Sequence, residues 1–283
     1  MEKAKVRKMM LEVMEAYLEA LIEKNEAAVD VTENCRVTYN GKECKLGANE
    51  LWKNTLVITE RQTFVDPDTK EMIFFGIMTN ETRDRNQDFP VAVSVYVKQY
   101  LTTIRLKVTE DGKISEVEEL TTQGRYRNFY SDIDSIKLPA LEFEMVVPED
   151  ERSTKEELIT LVSDYWDAAA KWKPESVLKI HPDAQRFENG YRTTNHSYSF
   201  RGDFKHNESF VWETPYASRE YSVVDPVRGV VVSSCFMENG AGANRDGLRG
   251  ARIIEAFKIK DGLICSLLAF FPVLEGLSGW EKE

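Results

Sequence analysis

The sequence predicts an α+β protein built from two tandem copies of one unit, each with a helical start followed by paired strands. Two observations carry this prediction. The chain of 283 residues is about twice the commonest domain length, and the same turn signals recur in the same order in its two halves. We therefore expect a first copy over residues 1–130, a linker over 131–150 and a second copy over 151–283.

An amphipathic helix is predicted at the start of each copy. In the first copy, apolar residues recur every three or four positions from Val6 to Ile22. The same spacing runs from Leu158 to Trp166 in the second copy, after Ser153-Thr154-Lys155-Glu156, which has the pattern of a capping box. Each helix therefore has one apolar face, and we expect that face to pack on a sheet.

Three turn dipeptides punctuate the strands of each copy. They are Asn40-Gly41, Asp66-Pro67 and Asp111-Gly112 in the first copy, and Asn189-Gly190, Asp225-Pro226 and Asp261-Gly262 in the second. Asn-Gly and Asp-Gly favour tight hairpins between antiparallel strands. The second copy is about ten residues longer before its Asp-Pro, and the added length lies within 191–210. Insertions into a repeated unit are loops on one face, and such loops often carry function.

The order of these elements resembles the cone-shaped fold of the nuclear transport factor two-like and ketosteroid isomerase-like superfamily. The strings Arg186-Phe187-Glu188-Asn189-Gly190 and Leu46-Gly47-Ala48-Asn49-Glu50-Leu51-Trp52-Lys53 are similar to its SnoaL-like branch. The resemblance covers almost the whole chain, twice over. It implies two tandem cone-shaped units, in each of which N-terminal helices pack on a strongly curved, mostly antiparallel sheet. It also implies a pocket between helices and sheet, used for cofactor-free dehydration, isomerisation or cyclisation, or for binding alone.

The resemblance also implies roles for individual side chains. Ketosteroid isomerases use a tyrosine on the first helix as oxyanion donor, a carboxylate on the first strand as base, and a second acid deeper in the cone. Tyr17 and Tyr165 occupy the helix position in the two copies. Asp183 or Glu188 lies near the first strand of the second copy. No residue of either copy is matched to the deeper acid.

All three histidines of the chain lie in the second copy, within about 26 residues: His181, His196 and His206. An unperturbed imidazole titrates near neutral pH, which suits proton transfer. We expect His196 or His181 to transfer a proton, with Asp183 orienting the imidazole. The catalytic residue Tyr165, or else Arg192, is expected to polarise the substrate oxygen. The alternative is that the histidines are ordinary surface residues of a loop.

The polar and aromatic residues around these histidines are predicted to bind substrate. They are Tyr191, Arg192, Arg201 and His206. Arginine and tyrosine can donate hydrogen bonds to an oxygen that gains negative charge. Aromatic residues and arginines also form ordinary cross-strand pairs, which is the alternative reading of this segment.

Charge and composition exclude several other classes of function. A net charge of −11 disfavours nucleic acid and anionic membranes as partners, because phosphate binding requires clustered lysines and arginines. No apolar run approaches the roughly 20 residues that span a bilayer. Acidic residues interrupt the first 20 positions, so we expect a cytoplasmic protein. The four cysteines lack a Cys-x-x-Cys pair and are expected to be free thiols, and no metal-binding spacing or nucleotide-binding glycine motif occurs.

The sequence therefore favours a cofactor-independent lyase or isomerase with dehydratase-like acid/base chemistry. The expected substrate is a small, largely apolar hydroxylated or keto compound, and the expected active site lies in the second copy. The alternative is a non-catalytic small-molecule-binding protein with two pseudo-symmetric cone domains that pack sheet against sheet. Neither reading requires a metal or another cofactor, and both leave open whether the chain forms a homo-oligomer.

Overall fold

The two halves of the chain adopt the same α+β architecture, as the sequence predicts. In this computed structural model, each half has an N-terminal helix packed on a strongly curved sheet. The structure describes residues 2–85, 93–122, 132–138, 140–170, 178–194, 216–238 and 250–274.

The first unit is a six-stranded sheet covered by one long helix. Its elements are α1 (Glu2–Glu23), β1 (Val31–Tyr39), β2 (Lys42–Glu43), α2 (Glu50–Asn54), β3 (Thr55–Asp66), β4 (Glu71–Arg85), β5 (Val93–Val108) and β6 (Ile114–Thr122). The strand order is β2-β1-β6-β5-β4-β3, with β1 and β6 parallel and the other pairs antiparallel. The apolar face of α1 predicted from the spacing is buried against this sheet through residues such as Met10, Met14 and Leu21.

The second unit repeats this arrangement. Its elements are α4 (Lys155–Ala170), β7 (Ile180–Glu188), β8 (Tyr191–Arg192), β9 (Tyr216–Asp225), β10 (Val230–Glu238), β11 (Gly250–Lys260), β12 (Leu263–Phe270) and β13 (Val273–Leu274). The order β8-β7-β12-β11-β10-β9 matches the first sheet strand for strand, and β7 pairs with β12 in parallel, as β1 does with β6. A short helix, α3 (Leu141–Glu144), lies in the segment between the units.

The sheet registers define which residues of the two units are equivalent. The residue before the Asn-Gly turn is Tyr39 in the first unit, paired with Glu119, and Glu188 in the second, paired with Ala269. Glu119 and Ala269 therefore hold the same position. Both Asn-Gly turns have positive φ at each of their two central residues, which confirms the tight hairpins predicted there.

The sheet faces that point away from α1 and α4 pack against each other. Their apolar cluster combines Phe64, Ile73, Phe75, Ile77, Leu101 and Leu120 of the first unit with Val223, Val230, Val232, Ile254, Leu268 and Phe270 of the second. The rings of Phe75 and Phe270 lie 5.0 Å apart across this interface. Phe143 of α3 joins the same cluster. Each unit thus has one sheet face buried under its helix and the other buried against its twin.

The four cysteines are free thiols, as the sequence predicts. Within the ranges that the structure describes, no helix combines the length and the apolar character that a membrane crossing requires.

Candidate functional site

A tyrosine on the long helix of each unit contacts a buried glutamate on the sheet. The hydroxyl of Tyr17 in α1 donates a 2.8 Å hydrogen bond to Oε1 of Glu119 in β6. The hydroxyl of Tyr165 in α4 lies 3.5 Å from Oε1 of Glu255 in β11. All four residues are at most 3% exposed. A buried carboxyl beside a buried phenol is unusual enough in a protein core to mark a candidate site.

The two glutamates belong to equivalent cross-strand pairs, but they lie on opposite strands of those pairs. In the first unit Ile104 of β5 pairs with Glu119 of β6. In the second unit the equivalent pair is Glu255 of β11 with Ala269 of β12. The carboxyl group thus comes from the sixth strand in the first unit and from the neighbouring strand in the second. In both units it contacts the tyrosine of the long helix.

The carboxyl of Glu119 is held entirely by neutral donors. Its Oε1 accepts hydrogen bonds from Tyr17 and from Nε1 of Trp52 at 2.8 Å, and its Oε2 accepts one from Nδ2 of Asn49 at 2.6 Å. Asn49 also caps α2 by accepting from the backbone N–H of Trp52. Burial raises the pKa of Glu119 to about 7, although its three hydrogen bonds act in the opposite direction.

The carboxyl of Glu255 has charged neighbours instead. Its pKa is raised to about 8, mainly by burial and also by the nearby Glu188, while Arg186 and the Tyr165 hydroxyl act to lower it. Burial, and then the charge of Glu255, raises the pKa of Tyr165 well above its usual value. At neutral pH both groups are therefore mostly protonated, so each can donate a hydrogen bond to an oxygen of a ligand.

Packing fixes the orientation of the Tyr165 ring. Its centroid lies 5.3 Å from that of Trp166 and 5.0 Å from that of Phe257, both in edge-to-face geometry. Trp166 is held in turn by a 3.1 Å hydrogen bond from its Nε1 to the hydroxyl of Ser233. These two ring contacts hold the phenol between α4 and the sheet.

Of the predicted catalytic residues, Tyr165 belongs to this buried cluster, whereas His181 and Asp183 lie on the surface of β7. Both of the latter are exposed, and the backbone N–H of Asp183 donates a 3.2 Å hydrogen bond to Nδ1 of His181. The charged groups that act on Tyr165 are Glu255, Arg186 and Glu188. The catalytic role of His181 and Asp183 stays a prediction.

The structure describes two of the four predicted substrate-binding residues. Tyr191 and Arg192 form β8 and are half-buried, and Nε of Arg192 donates to the backbone carbonyl of Thr194 at 3.1 Å. His196, Arg201 and His206 lie outside the described residues, so their roles stay predictions as well.

Sequence reasoning did not single out Glu119, Glu255 or Arg186. A signal for Glu255 was present, because it is the one charged residue in the run Arg252-Ile253-Ile254-Glu255-Ala256-Phe257 apart from the arginine that opens it. A lone acid inside an apolar strand is rarely buried without a partner. Within the described ranges, no three His, Cys, Asp or Glu side chains form a group that could hold a metal ion.

Comparison with known proteins identifies a family and no activity. The sequence model of a family described as Domain of unknown function (DUF8021) matches the chain twice, over residues 3–121 and 151–271. No curated protein matches the chain. The two matches coincide with the two helix-and-sheet units and cover most of the sequence, so the chain belongs to this family and carries its domain in two tandem copies.

Proposed function

We propose that the second unit is a cofactor-independent lyase or isomerase acting on a small, largely apolar hydroxylated or keto compound. The observation that carries this proposal is the contact between two fully buried groups with raised pKa values, the Tyr165 hydroxyl and the Glu255 carboxyl. A carboxylic acid that stays neutral at pH 7 can donate a hydrogen bond, or a proton, to a substrate oxygen as negative charge develops there. Tyr165 would donate the second hydrogen bond.

The resemblance to the ketosteroid isomerase-like superfamily gives these groups roles. Tyr165 takes the role of the helix tyrosine, and Glu255 takes that of the deeper acid. For the base, Glu188 fits better than Asp183, because it is half-buried at the end of β7 and its charge acts on both Tyr165 and Glu255. His196 or His181 would relay the proton to solvent.

The charge balance of the cluster favours an uncharged substrate. Nε of Arg186 lies 3.4 Å from Oε1 of Glu188, so these two charges offset each other. With Glu255 protonated, the cluster carries no net charge. An anionic ligand would bring an unpaired charge into a buried site, which is costly, whereas a ketone or alcohol would not.

The second unit is favoured over the first because of how the two carboxyls are occupied. Glu119 already accepts hydrogen bonds on both oxygens, from Tyr17, Trp52 and Asn49, and a ligand would have to displace them. The contact between Tyr165 and Glu255 is long, at 3.5 Å, and is weak as a hydrogen bond. A ligand oxygen that displaces this contact therefore costs the Glu255 carboxyl less, and the hydrogen bond between Arg186 and the Tyr165 hydroxyl can be kept.

Proton transfer can be tested before the substrate is known. We would incubate the full-length protein in heavy water with a panel of small ketones and β-hydroxy ketones, and follow deuterium incorporation and loss of water by mass spectrometry. Glu255→Gln and Tyr165→Phe should lower the rate by about 100-fold to 10,000-fold. His196→Ala and His181→Ala test the predicted relay. The matched first-unit variants Glu119→Gln and Tyr17→Phe should retain the rate if they fold. No exchange by the wild-type protein across the panel, or its loss only in the first-unit variants, would overturn the proposal.

A second candidate function is non-catalytic binding of a small molecule. The pair of Tyr165 and Glu255 also favours it, since two hydrogen-bond donors in an apolar setting can bind a ligand oxygen without any chemical step. Under this alternative the panel would yield ligands that bind without exchange or dehydration, and Tyr165→Phe would weaken their binding.

A further inference from the structure

The second unit has a buried arginine where the first unit has a valine. Val37 of β1 pairs with Val117 of β6, and Arg186 of β7 pairs with Leu267 of β12. Each of these pairs lies two positions before the Asn-Gly hairpin pair, so Val37 and Arg186 are equivalent. Val37 belongs to the apolar core of the first unit. An interior with this topology therefore does not need an arginine at this position.

Arg186 is held tightly in spite of its burial. It is 7% exposed. Its Nε donates a 2.9 Å hydrogen bond to the hydroxyl of Thr193, and its backbone N–H donates one of 3.0 Å to the hydroxyl of Thr194. Burial disfavours the charged guanidinium, but the ion pair with Glu188, the acidic Glu255 and a hydrogen bond to the Tyr165 hydroxyl outweigh it, so the pKa of Arg186 is raised. The guanidinium remains charged under all conditions in which the protein is folded.

Arg186 and Glu255 replace apolar residues together. Their equivalents in the first unit are Val37 and Ile104. A buried guanidinium is costly to desolvate, and its attraction to one carboxylate only roughly offsets that cost. A buried carboxyl needs hydrogen-bond partners even when it is protonated. Two apolar residues would serve the fold at least as well, which points to a role other than stability for Arg186 and Glu255.

We infer that Arg186 is a positioning residue of the second site, which holds the Tyr165 hydroxyl and the Glu255 carboxyl in place and balances the charge of Glu188. The planar guanidinium is suited to this role because its donors are fixed in one plane and can engage several acceptors at once. The inference rests on the function proposed above for the second unit. It adds a residue that acts through Tyr165 and Glu255 rather than on the substrate.

The test follows the titration of Glu255, which requires no substrate. The groups that act on this carboxyl are Arg186 and Glu188 from β7 and Tyr165 from α4, and the buried thiol of Cys235 in β10 is itself affected by it. Infrared difference spectra of the full-length protein would record the carbonyl stretch of protonated carboxyl groups against pH. Glu255→Gln assigns the relevant band by removing it.

Arg186→Met should raise the midpoint of Glu255 above its value of about 8, because the positive charge that favours the carboxylate is lost. Arg186→Lys should bring the midpoint back toward the wild-type value, since it restores the charge. The matched control is Arg192→Met, which removes a half-buried arginine from the neighbouring strand β8 and should leave the midpoint unchanged. The band of Glu119 provides an internal control, because it should not move in any of these variants. An unchanged or lowered midpoint in Arg186→Met would overturn the inference.

A double variant separates positioning from folding. Arg186→Val combined with Glu255→Ile copies the apolar pair of the first unit. It should be at least as stable in denaturant as Arg186→Met, because both variants leave Glu188 without its cation but only Arg186→Met also keeps the buried carboxyl of Glu255. A double variant less stable than Arg186→Met would mean that the charges serve the fold, and the positioning role would fall. Absence of isotope exchange in the wild-type protein would remove the proposed function, while the titration result would still decide the interactions of Arg186.

Discussion

Arg7 of the first unit and Asp225 of the second form an ion pair across the interface between the units, with Nη1 2.8 Å from Oδ2. The same contact recurs with the units exchanged, since Nζ of Lys155 lies 2.8 Å from each carboxylate oxygen of Asp66. Arg7 and Lys155 lie near the starts of α1 and α4, and the two aspartates end the equivalent strands β3 and β9. Such reciprocity is the property of a two-fold symmetric dimer interface, reproduced here within one chain.

Loss of the Arg7 ion pair should destabilise the protein. The carboxylate of Asp225 is 8% exposed, so Arg7→Met leaves a mostly buried charge with fewer partners. We expect the free energy of unfolding to fall by roughly 1–3 kcal/mol, measured by denaturant titration. The control is Lys8→Met, which removes an exposed pair with Glu12 and should change stability by at most about 0.5 kcal/mol. Equal effects of the two variants would contradict the role assigned to the pair.

Stability should fall as the pH rises through the neutral range. Glu119 and Glu255 have pKa values of about 7 and about 8 in the folded protein, against an ordinary value of 4.5. Between 4.5 and those values the folded state binds more protons than the unfolded state. Each glutamate then contributes stability that is fully present below pH 4.5 and is lost as the pH rises, at up to about 1.4 kcal/mol per pH unit.

This pH dependence can be assigned to the two residues by substitution. Unfolding free energies measured from pH 4.5 to 8.5 should show a shallower decline in Glu119→Gln and in Glu255→Gln than in the wild type, because an amide does not titrate. The slope of unfolding free energy against pH should differ from that of the wild type up to about pH 7 for Glu119→Gln and up to about pH 8 for Glu255→Gln. Above those values the slopes should agree. A wild-type stability that rises across this range would contradict the raised pKa values.

Removal of the Tyr17 hydroxyl should cost more than its place on an apolar helix face suggests. Tyr17→Phe leaves Oε1 of the buried Glu119 with one donor fewer, and we expect a loss of about 1–3 kcal/mol in the free energy of unfolding. The control is Tyr39→Phe, since the hydroxyl of Tyr39 meets Thr121 at 3.1 Å in a half-buried setting and its loss should cost less. A neutral Tyr17→Phe would restore the simpler reading of Tyr17 as a packing residue.

Gly190 should tolerate alanine far less well than Gly262. Both glycines have positive φ, +82° and +68°, where alanine costs about 1–2 kcal/mol. A Cβ on Gly262 would enter open space, whereas a Cβ on Gly190 would lie 2.1 Å from the carbonyl oxygen of Asp132. Gly190→Ala must therefore also displace the segment between the units. Thermal unfolding should show the larger drop in melting temperature for Gly190→Ala, and equal drops would show that this contact is not maintained in solution.

The features predicted correctly from the sequence depend on local rules. The stripe from Val6 to Ile22 and the positive φ of both residues in Asn40-Gly41 follow from neighbouring positions alone. Asp111-Gly112 shows where such rules end. Only its glycine has positive φ, because the hairpin closes through a longer loop in which the N–H of Thr109 bonds to the carbonyl of Lys113.

The sequence by itself determined the duplication, the helix-and-sheet composition of each unit and the asymmetry in histidine content. Only the tertiary structure decided which polar groups meet. The hydroxyl of Tyr17 finds Glu119 at a separation of 102 positions, and Glu255 lies 90 positions from Tyr165. From the spacing of apolar residues alone, a tyrosine is predicted to pack in an apolar helix face and an isolated glutamate is predicted to lie on the surface. Their pairing results from the packing of a helix on a curved sheet, since that packing removes both groups from water and leaves each as a partner for the other.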